Sequence, residues 1–172
     1  QGNISAPLHA PTSGVISAIS EITAPHTSGL PAMAITLDPD GEERWVDVER
    51  PSDPYALASD DIAARVAAAG VVGLGGATFP SSVKLNLGRR SGIDTLLING
   101  SECEPYLSCD DRLMRDRAAE IVSGIRLMLI ATGAAVAKVG IEDNKPEAIA
   151  AMREAAEAHG EVEVVVVPAR YP

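Results

Sequence analysis

The sequence predicts an α/β protein in which a small all-β module precedes a parallel-sheet domain. Residues 1 to about 48 are rich in Pro, Ser, Thr and Gly and contain only short β-type runs. From Ser59 onward, helical periods alternate with near-continuous β-branched runs, a pattern typical of parallel strands joined by helices. A Pro-marked linker at residues 50–54 separates the two patterns. We therefore place the all-β module at residues 1–52 and the α/β domain at residues 53–172.

Three β-type runs are predicted in the N-terminal module. They cover residues 14–19, 32–37 and 44–48. The turn sequence Asp38-Pro39-Asp40-Gly41 lies between the second and third runs, so we expect it to join them as a hairpin.

The α/β domain is predicted to begin with a helix capped by Ser59 and ended by Gly70. A second helix starts at Ser108 or Asp110 and runs to about Thr132, and a third is capped by Asn144 and covers residues 148–159. Strands are predicted at residues 95–98, 136–141 and 162–167. We expect a parallel sheet with right-handed crossovers and with helices on both faces.

Composition excludes several classes of function. The net charge is −10 and the pI is near 4.7, with 24 acidic and 14 basic residues, so nucleic acid is not an expected partner. The two cysteines, Cys103 and Cys109, do not resemble a disulfide scaffold and cannot by themselves supply the four thiolates of a cubane cluster. No apolar stretch has the length of a membrane span. The chain opens at Gln1 without Met and closes soon after an apolar strand, so we expect it to be a portion of a longer protein.

The strongest functional signal is a glycine-rich run followed by a lysine. Gly73-Leu74-Gly75-Gly76-Ala77-Thr78-Phe79-Pro80 precedes Lys84. Glycines let the backbone approach a flat or anionic ligand without Cβ clashes, and a nearby phenylalanine can contact a planar ring. The spacing differs from both the dinucleotide fingerprint and the phosphate-binding P-loop. The run therefore indicates an anionic-cofactor site of another type.

A second polar segment leaves the carboxyl end of a predicted strand. Asn99, Glu102 and Glu104 follow the strand at residues 95–98. In open parallel sheets, ligands bind beyond the carboxyl ends of strands. We therefore expect this segment to lie at the rim of the ligand site, with the glycine-rich run folded over the same edge.

Taken together, these motifs resemble the RnfC subunit of the Rnf electron-transport complex, and the resemblance covers essentially all of the chain. It rests on the glycine-rich run with Lys84, on Ile98–Tyr106, on Asp110–Met114 and on Gly140–Ala148. In the β module it rests on His9–Gly14 and Pro25–Leu30. The α/β part is more distantly similar to the NADH-binding flavoprotein subunit of respiratory complex I. That flavoprotein has Arg, Gly and Asp where this chain has Leu74, Thr78 and Ser101.

The resemblance implies a barrel-sandwich-hybrid, lipoyl-like module followed by a domain that binds FMN and NADH. The implied protein is an ion-translocating oxidoreductase subunit that passes electrons between NAD(H) and ferredoxin or flavodoxin through [4Fe-4S] clusters outside these residues. It would be a peripheral subunit at the cytoplasmic face of the bacterial inner membrane, bound to other subunits of the complex. The implied cofactor contacts are Gly73, Gly75, Gly76, Phe79, Lys84, Asn99, Glu102 and Glu104. No catalytic side chain and no metal ligand is assigned, and we expect the isolated chain to hold an incomplete flavin site.

Several alternatives remain open. Phe79 is equally consistent with an ordinary core aromatic, and Lys84 with a surface lysine. Glu102 and Glu104 are also consistent with a solvated turn that complements the N-terminus of the following helix. A covalent carrier is disfavoured because no lysine precedes Lys84. A non-catalytic scaffold or a nucleotide-sensing module that docks other subunits is the competing function.

Overall fold

A computed structural model describes residues 4–170, which form two compact units. One unit is Leu8–Arg50, and the other contains the rest of the described chain. The terminal residues 1–3 and 171–172 lie outside the described range. None of the described helices is long and apolar enough to cross a membrane.

The smaller unit is built on one antiparallel hairpin. Strand β1 (Gly14–Thr23) pairs with β2 (Pro31–Pro39), and the Ala24 N–H closes the turn by donating to the Leu30 carbonyl at 3.0 Å. The apolar side chains of both strands stay largely exposed, for example Val15 at 71%. A two-stranded hairpin alone is at best marginally stable, so the hairpin gains little from side-chain burial.

The predicted hairpin across residues 38–41 is wrong. Residues 44–48 form no strand, and β2 pairs along its length with β1. The segment after β2 instead folds onto Ser13, whose hydroxyl donates to Asp40 Oδ1 at 2.6 Å and accepts from the Arg44 N–H at 3.0 Å. These bonds to a residue 27 or more positions earlier replace the local strand pairing that the turn sequence predicted.

The larger unit contains a parallel sheet of three strands in the order β3-β4-β5. The predicted parallel strands are confirmed, each within one residue of its predicted bounds. They are β3 (Thr95–Asn99), β4 (Val136–Glu142) and β5 (Val162–Val167). The helices are α1 (Ser59–Ala68), α2 (Ser81–Ser91), α3 (Cys109–Asp116), α4 (Ala118–Thr132) and α5 (Pro146–Ala156), with a short 3₁₀ turn at Pro54–Ala56.

Helices cover one face of this sheet. Ala137, Val139 and Ile141 of β4 are almost completely buried in the core formed with α4 and α5. On the opposite face Leu97 is 76% exposed, and Lys138 forms an ion pair with its register partner Glu163. The expectation that helices cover both faces is therefore wrong for residues 4–170, because α1 and α2 pack against α4 instead of the sheet.

The predicted helix from residue 108 or 110 to 132 is two helices, α3 and α4. The chain breaks at Arg117, whose backbone is not helical (φ −134°, ψ 32°). The break separates two packing environments, since α3 contacts α5 whereas α4 also contacts α1, α2 and the sheet. Neither a Gly nor a Pro marks this position, so the sequence offered no breaker there.

Two predicted helix caps are also wrong. Neither α1 nor α5 has a side-chain cap: Ala58 precedes α1, and Lys145 precedes α5. The Ser59 hydroxyl donates instead to the Ile130 carbonyl of α4 at 2.8 Å, so it links two helices. Tertiary contact thus overrides the local capping preference.

Candidate functional site

The glycine-rich run forms a closed loop that leads into α2. Val72 and Pro80 form an antiparallel bridge, and the Gly73 N–H donates to the Phe79 carbonyl at 2.9 Å. Residues 74–78 between these points are exposed, and Gly76 and Thr78 have left-handed backbones (φ 90° and 48°). The loop therefore projects from a fixed base. Helix α2 was not among the predicted elements.

Space around the loop is open. A Cβ added at Gly75 or Gly76 would meet no atom within 4 Å, so no neighbour within the described chain requires glycine at Gly75. At Gly76 the positive φ itself favours glycine. A loop with unfilled space next to its backbone is what a ligand that contacts main-chain atoms requires.

The structure brings Lys84 next to the base of this loop. A Cβ at Gly73 would lie 2.7 Å from Lys84 Nζ, so a side chain at that position would displace the ammonium group. Lys84 is exposed in the first turn of α2 and forms no salt bridge within residues 4–170. The pairing of Gly73 with Lys84 places an unneutralised cation at the loop. Phe79 is half-buried beside it.

The second predicted segment begins where β3 ends. The Asn99 side chain accepts from the Ser101 N–H at 3.0 Å and so starts a tight turn. Gly100 is buried, and its N–H donates to the Gly140 carbonyl of β4 at 2.9 Å. A Cβ at Gly100 would lie 3.0 Å from both that carbonyl and Met114 Sδ, so close backbone contact with β4 requires glycine here.

Glu102 is buried and caps α3. Its side chain is only 7% exposed, and Oε1 accepts from the N–H groups of Asp110 and Asp111 at 3.0 Å each. The residue preceding α3, Ser108, makes no side-chain cap. Helix N-termini leave N–H groups without intrahelical partners and carry partial positive charge, so a carboxylate is a strong cap. Glu102 is thus the alternative helix-complementing residue, but buried rather than solvated.

Other acidic groups surround this carboxylate. The Glu102 N–H donates to Oε2 of Glu142, a buried residue that ends β4, at 3.4 Å. Burial and the charge of Glu102 raise the pKa of Asp110 above its ordinary value. Burial, followed by the charges of Glu102 and Asp110, raises the pKa of the Cys109 thiol, which lies 3.6 Å from Glu102 Oε2. Cys109 therefore has little thiolate character at neutral pH.

Glu102, Cys109 and Asp110 offer donor atoms within 4.8 Å of one another. We assign no metal to them, because the Glu102 carboxylate already accepts hydrogen bonds from α3. The positive end of α3 at the same place also disfavours a cation.

Glu104, by contrast, is exposed and available to a ligand. It opens a turn closed by the Leu107 N–H, which donates to the Glu104 carbonyl at 3.3 Å. Asn99 and Ser101 also line a shallow pocket of about 340 Å³ on the open face of the sheet, together with Lys138 and Gly140. The carboxyl edge of the sheet therefore offers both an apolar recess and exposed polar groups.

The structure brings some predicted site residues together and leaves others apart. Gly73 and Lys84 are neighbours, and Asn99 and Glu102 belong to one turn fixed to β4. Within residues 4–170, no hydrogen bond or ion pair joins the glycine-rich loop to this turn. Sequence reasoning missed Glu142, whose only signal is a carboxylate at the end of an apolar strand.

Comparison with known protein families identifies both parts of the chain. Residues 66–172 match the Nuo51 FMN-binding domain, and residues 1–42 match the RnfC barrel sandwich hybrid domain. These matches confirm the predicted fold class: a barrel-sandwich-hybrid module followed by an α/β flavin domain.

The chain is similar to proteins named as the RnfC subunit of the ion-translocating oxidoreductase complex. It is 53% identical to that of Rhodobacter capsulatus over 100% of this chain and 33% of the relative. It is 46% identical to that of Pectobacterium carotovorum subsp. carotovorum over 96% of this chain and 22% of the relative. The chain thus spans a third or less of the length of these relatives.

Solved structures of NAD⁺-reducing [NiFe]-hydrogenase contain a similar fold. In the air-oxidized state, the match has a TM-score of 0.53 and 28% identity, covering 63% of this chain and 20% of the hydrogenase chain. In the H₂-reduced state, the TM-score is 0.55 and the identity 25%, with coverage of 69% and 22%.

Proposed function

Because the chain belongs to the RnfC family of ion-translocating oxidoreductase subunits and contains its Nuo51-type FMN-binding domain, we propose that its larger unit binds FMN and NADH. The protein would transfer electrons between NAD(H) and ferredoxin or flavodoxin. The [4Fe-4S] clusters needed for one-electron transfer would lie outside these 172 residues. We place the protein at the cytoplasmic face of the bacterial inner membrane, attached to the other subunits of the complex.

The geometry of Gly73 and Lys84 carries this proposal. An ammonium group without a carboxylate partner among the described residues lies at the base of an exposed glycine-rich loop that has open space beside its backbone. A phosphate-bearing planar cofactor fits such a site because the lysine neutralises the phosphate while the backbone approaches the ring. The NAD⁺-linked hydrogenases with a similar fold support the choice of a nicotinamide dinucleotide as the second ligand.

FMN, when bound, supplies the chemistry that converts hydride transfer into single-electron steps. The role of this chain is to position the two rings and to exclude competing contacts. We propose that Gly73, Gly75, Gly76 and Phe79 contact the cofactor, with Lys84 at its polar end. Asn99 and Glu104 are the proposed polar contacts from the sheet edge. Glu102 would support them by fixing their turn to α3 and β4, since its carboxylate is engaged there.

A flavin titration of the intact subunit and of the 172-residue chain tests this proposal. We expect flavin fluorescence to be quenched on binding to the intact subunit, and NADH to bleach the flavin absorbance band. Lys84→Gln should weaken FMN binding by about tenfold or more, the equivalent of one charge-assisted hydrogen bond. Gly75→Val should also weaken it by filling the space beside the loop.

Arg153→Gln provides a matched control, because it removes one positive charge from an exposed position of α5. We expect it to bind FMN like the wild type. Glu102 is unsuitable for this test, since its loss would also remove the α3 cap. An intact subunit that binds neither FMN nor NADH would favour a scaffold, whereas NADH binding without flavin reduction would favour a nucleotide sensor. Tight stoichiometric FMN binding to the 172-residue chain would contradict the expectation of an incomplete site.

A further inference from the structure

Two residues of the larger unit have a left-handed backbone without being glycine. Within the described part of that unit they are Thr78, with φ 48°, and Tyr106, with φ 68°. Thr78 lies in the glycine-rich loop, and Tyr106 follows Glu104 in the turn beyond β3. L-residues with a side chain rarely adopt this conformation, and such strain is concentrated at functional sites. Both strained residues therefore lie in the two segments proposed to contact the nucleotide.

The turn that contains Tyr106 normally requires glycine. Its second residue is Pro105, its third is Tyr106, and the Leu107 N–H closes it onto the Glu104 carbonyl at 3.3 Å. Proline at the second position and a positive φ at the third are features of a type II turn, whose third position favours Gly or Asn. A large aromatic residue is thus placed where it strains the backbone.

Packing within the described chain does not compensate this strain. The Tyr106 side chain is fully exposed, with a relative accessibility of 104%. If the turn were only a connection, glycine would form it with less strain and without exposing an aromatic ring to water.

We propose that Tyr106 is a nucleotide-binding residue whose ring stacks on a planar heteroaromatic ring of the bound ligand, either the flavin or a base of the nicotinamide dinucleotide. This inference rests on the proposed function and adds a contact to the same site. The left-handed backbone holds the ring outward at the rim where Glu104 is also exposed. A rigid aromatic side chain offers a large contact area and a preferred stacked geometry.

Titrations of FMN and of NADH into the intact subunit, with Tyr106→Gly and Tyr106→Phe beside the wild type, test the inference. Tyr106→Gly removes the ring and relieves the positive φ, so it should unfold at the same temperature or higher. We expect it to bind one of the two ligands about two- to tenfold more weakly. Tyr106→Phe keeps the ring and should bind within about twofold of the wild type.

A spectroscopic arm separates stacking from a purely structural role. The chain has one tryptophan, Trp45, so Tyr106→Trp in a Trp45→Phe background gives a single reporter at the turn. We expect its fluorescence to be quenched by FMN if the ring stacks on the flavin, and by NADH alone if it stacks on the dinucleotide.

The outcomes are distinguishable. If the wild type binds both ligands and Tyr106→Gly binds them equally well, the stacking role is overturned and the proposed function stands. If the wild type binds neither ligand, the proposed function fails and takes this inference with it. If Tyr106→Phe loses as much affinity as Tyr106→Gly, the hydroxyl rather than the ring makes the contact, which also overturns stacking.

Discussion

Replacement of Glu102 by alanine is expected to destabilise the α/β unit through the N-terminus of α3. The wild-type carboxylate is buried and accepts two backbone N–H groups at 3.0 Å. Alanine would leave the N–H groups of Asp110 and Asp111 without this partner. It would also leave the turn fixed to β4 only by the Gly100 N–H and by the weaker bond to Glu142.

The expected loss follows from these contacts. A hydrogen bond to a charged group contributes about 1.5–3 kcal/mol, and loss of an N-terminal cap costs about 0.5–2 kcal/mol. Alanine also removes the cost of burying the carboxylate, which offsets part of the sum. We therefore expect a net destabilisation of about 2 kcal/mol. With a urea m-value of about 2 kcal/mol/M, the unfolding midpoint should fall by about 1 M.

Urea unfolding followed by far-UV circular dichroism measures this change, because the helices of residues 4–170 all belong to the larger unit. Glu104→Ala is the control: it removes an exposed carboxylate two positions away and should change stability by less than about 0.5 kcal/mol. Glu102→Gln keeps an acceptor oxygen and should fall between the two. Equal midpoints for Glu102→Ala and Glu104→Ala would refute the assignment of Glu102 as the α3 cap.

Two further predictions use the same assay. Gly100→Ala should destabilise by about 1–3 kcal/mol because its Cβ would crowd β4, whereas Gly124→Ala, in an exposed and open position of α4, should stabilise by about 0.5–1 kcal/mol; stabilisation by Gly100→Ala would contradict the close contact. Because the pKa of Asp110 is raised above 3.8, this group contributes its full stability below pH 3.8 and loses it as the pH rises through the folded-state pKa. Asp110→Asn should therefore raise the midpoint at neutral pH but not below pH 3.8, and a gain that is independent of pH would contradict the sign of the shift.

The candidate site was predicted from sequence at the level of segments and corrected at the level of contacts. The glycine-rich run and the polar turn after β3 are recognisable because Gly, Pro and strand patterns act locally. Burial of Glu102 was not predictable, because its partners lie eight and nine positions further along the chain, at the start of a helix whose own cap position looked sufficient. The strain at Tyr106 has a sequence signal in Pro105, but only the backbone dihedral reveals it.

The sequence by itself determined the two-part architecture, the three parallel strands and the family to which the chain belongs. These features depend on local periodicity and on motif residues that stay recognisable in any context. Tertiary structure alone decided that β2 pairs with β1, that the chain breaks at Arg117, and that helices cover one face of the sheet within the described residues. In each case a hydrogen bond or packing contact between distant segments outweighed a local preference of about 1 kcal/mol or less, which no pattern along the chain records.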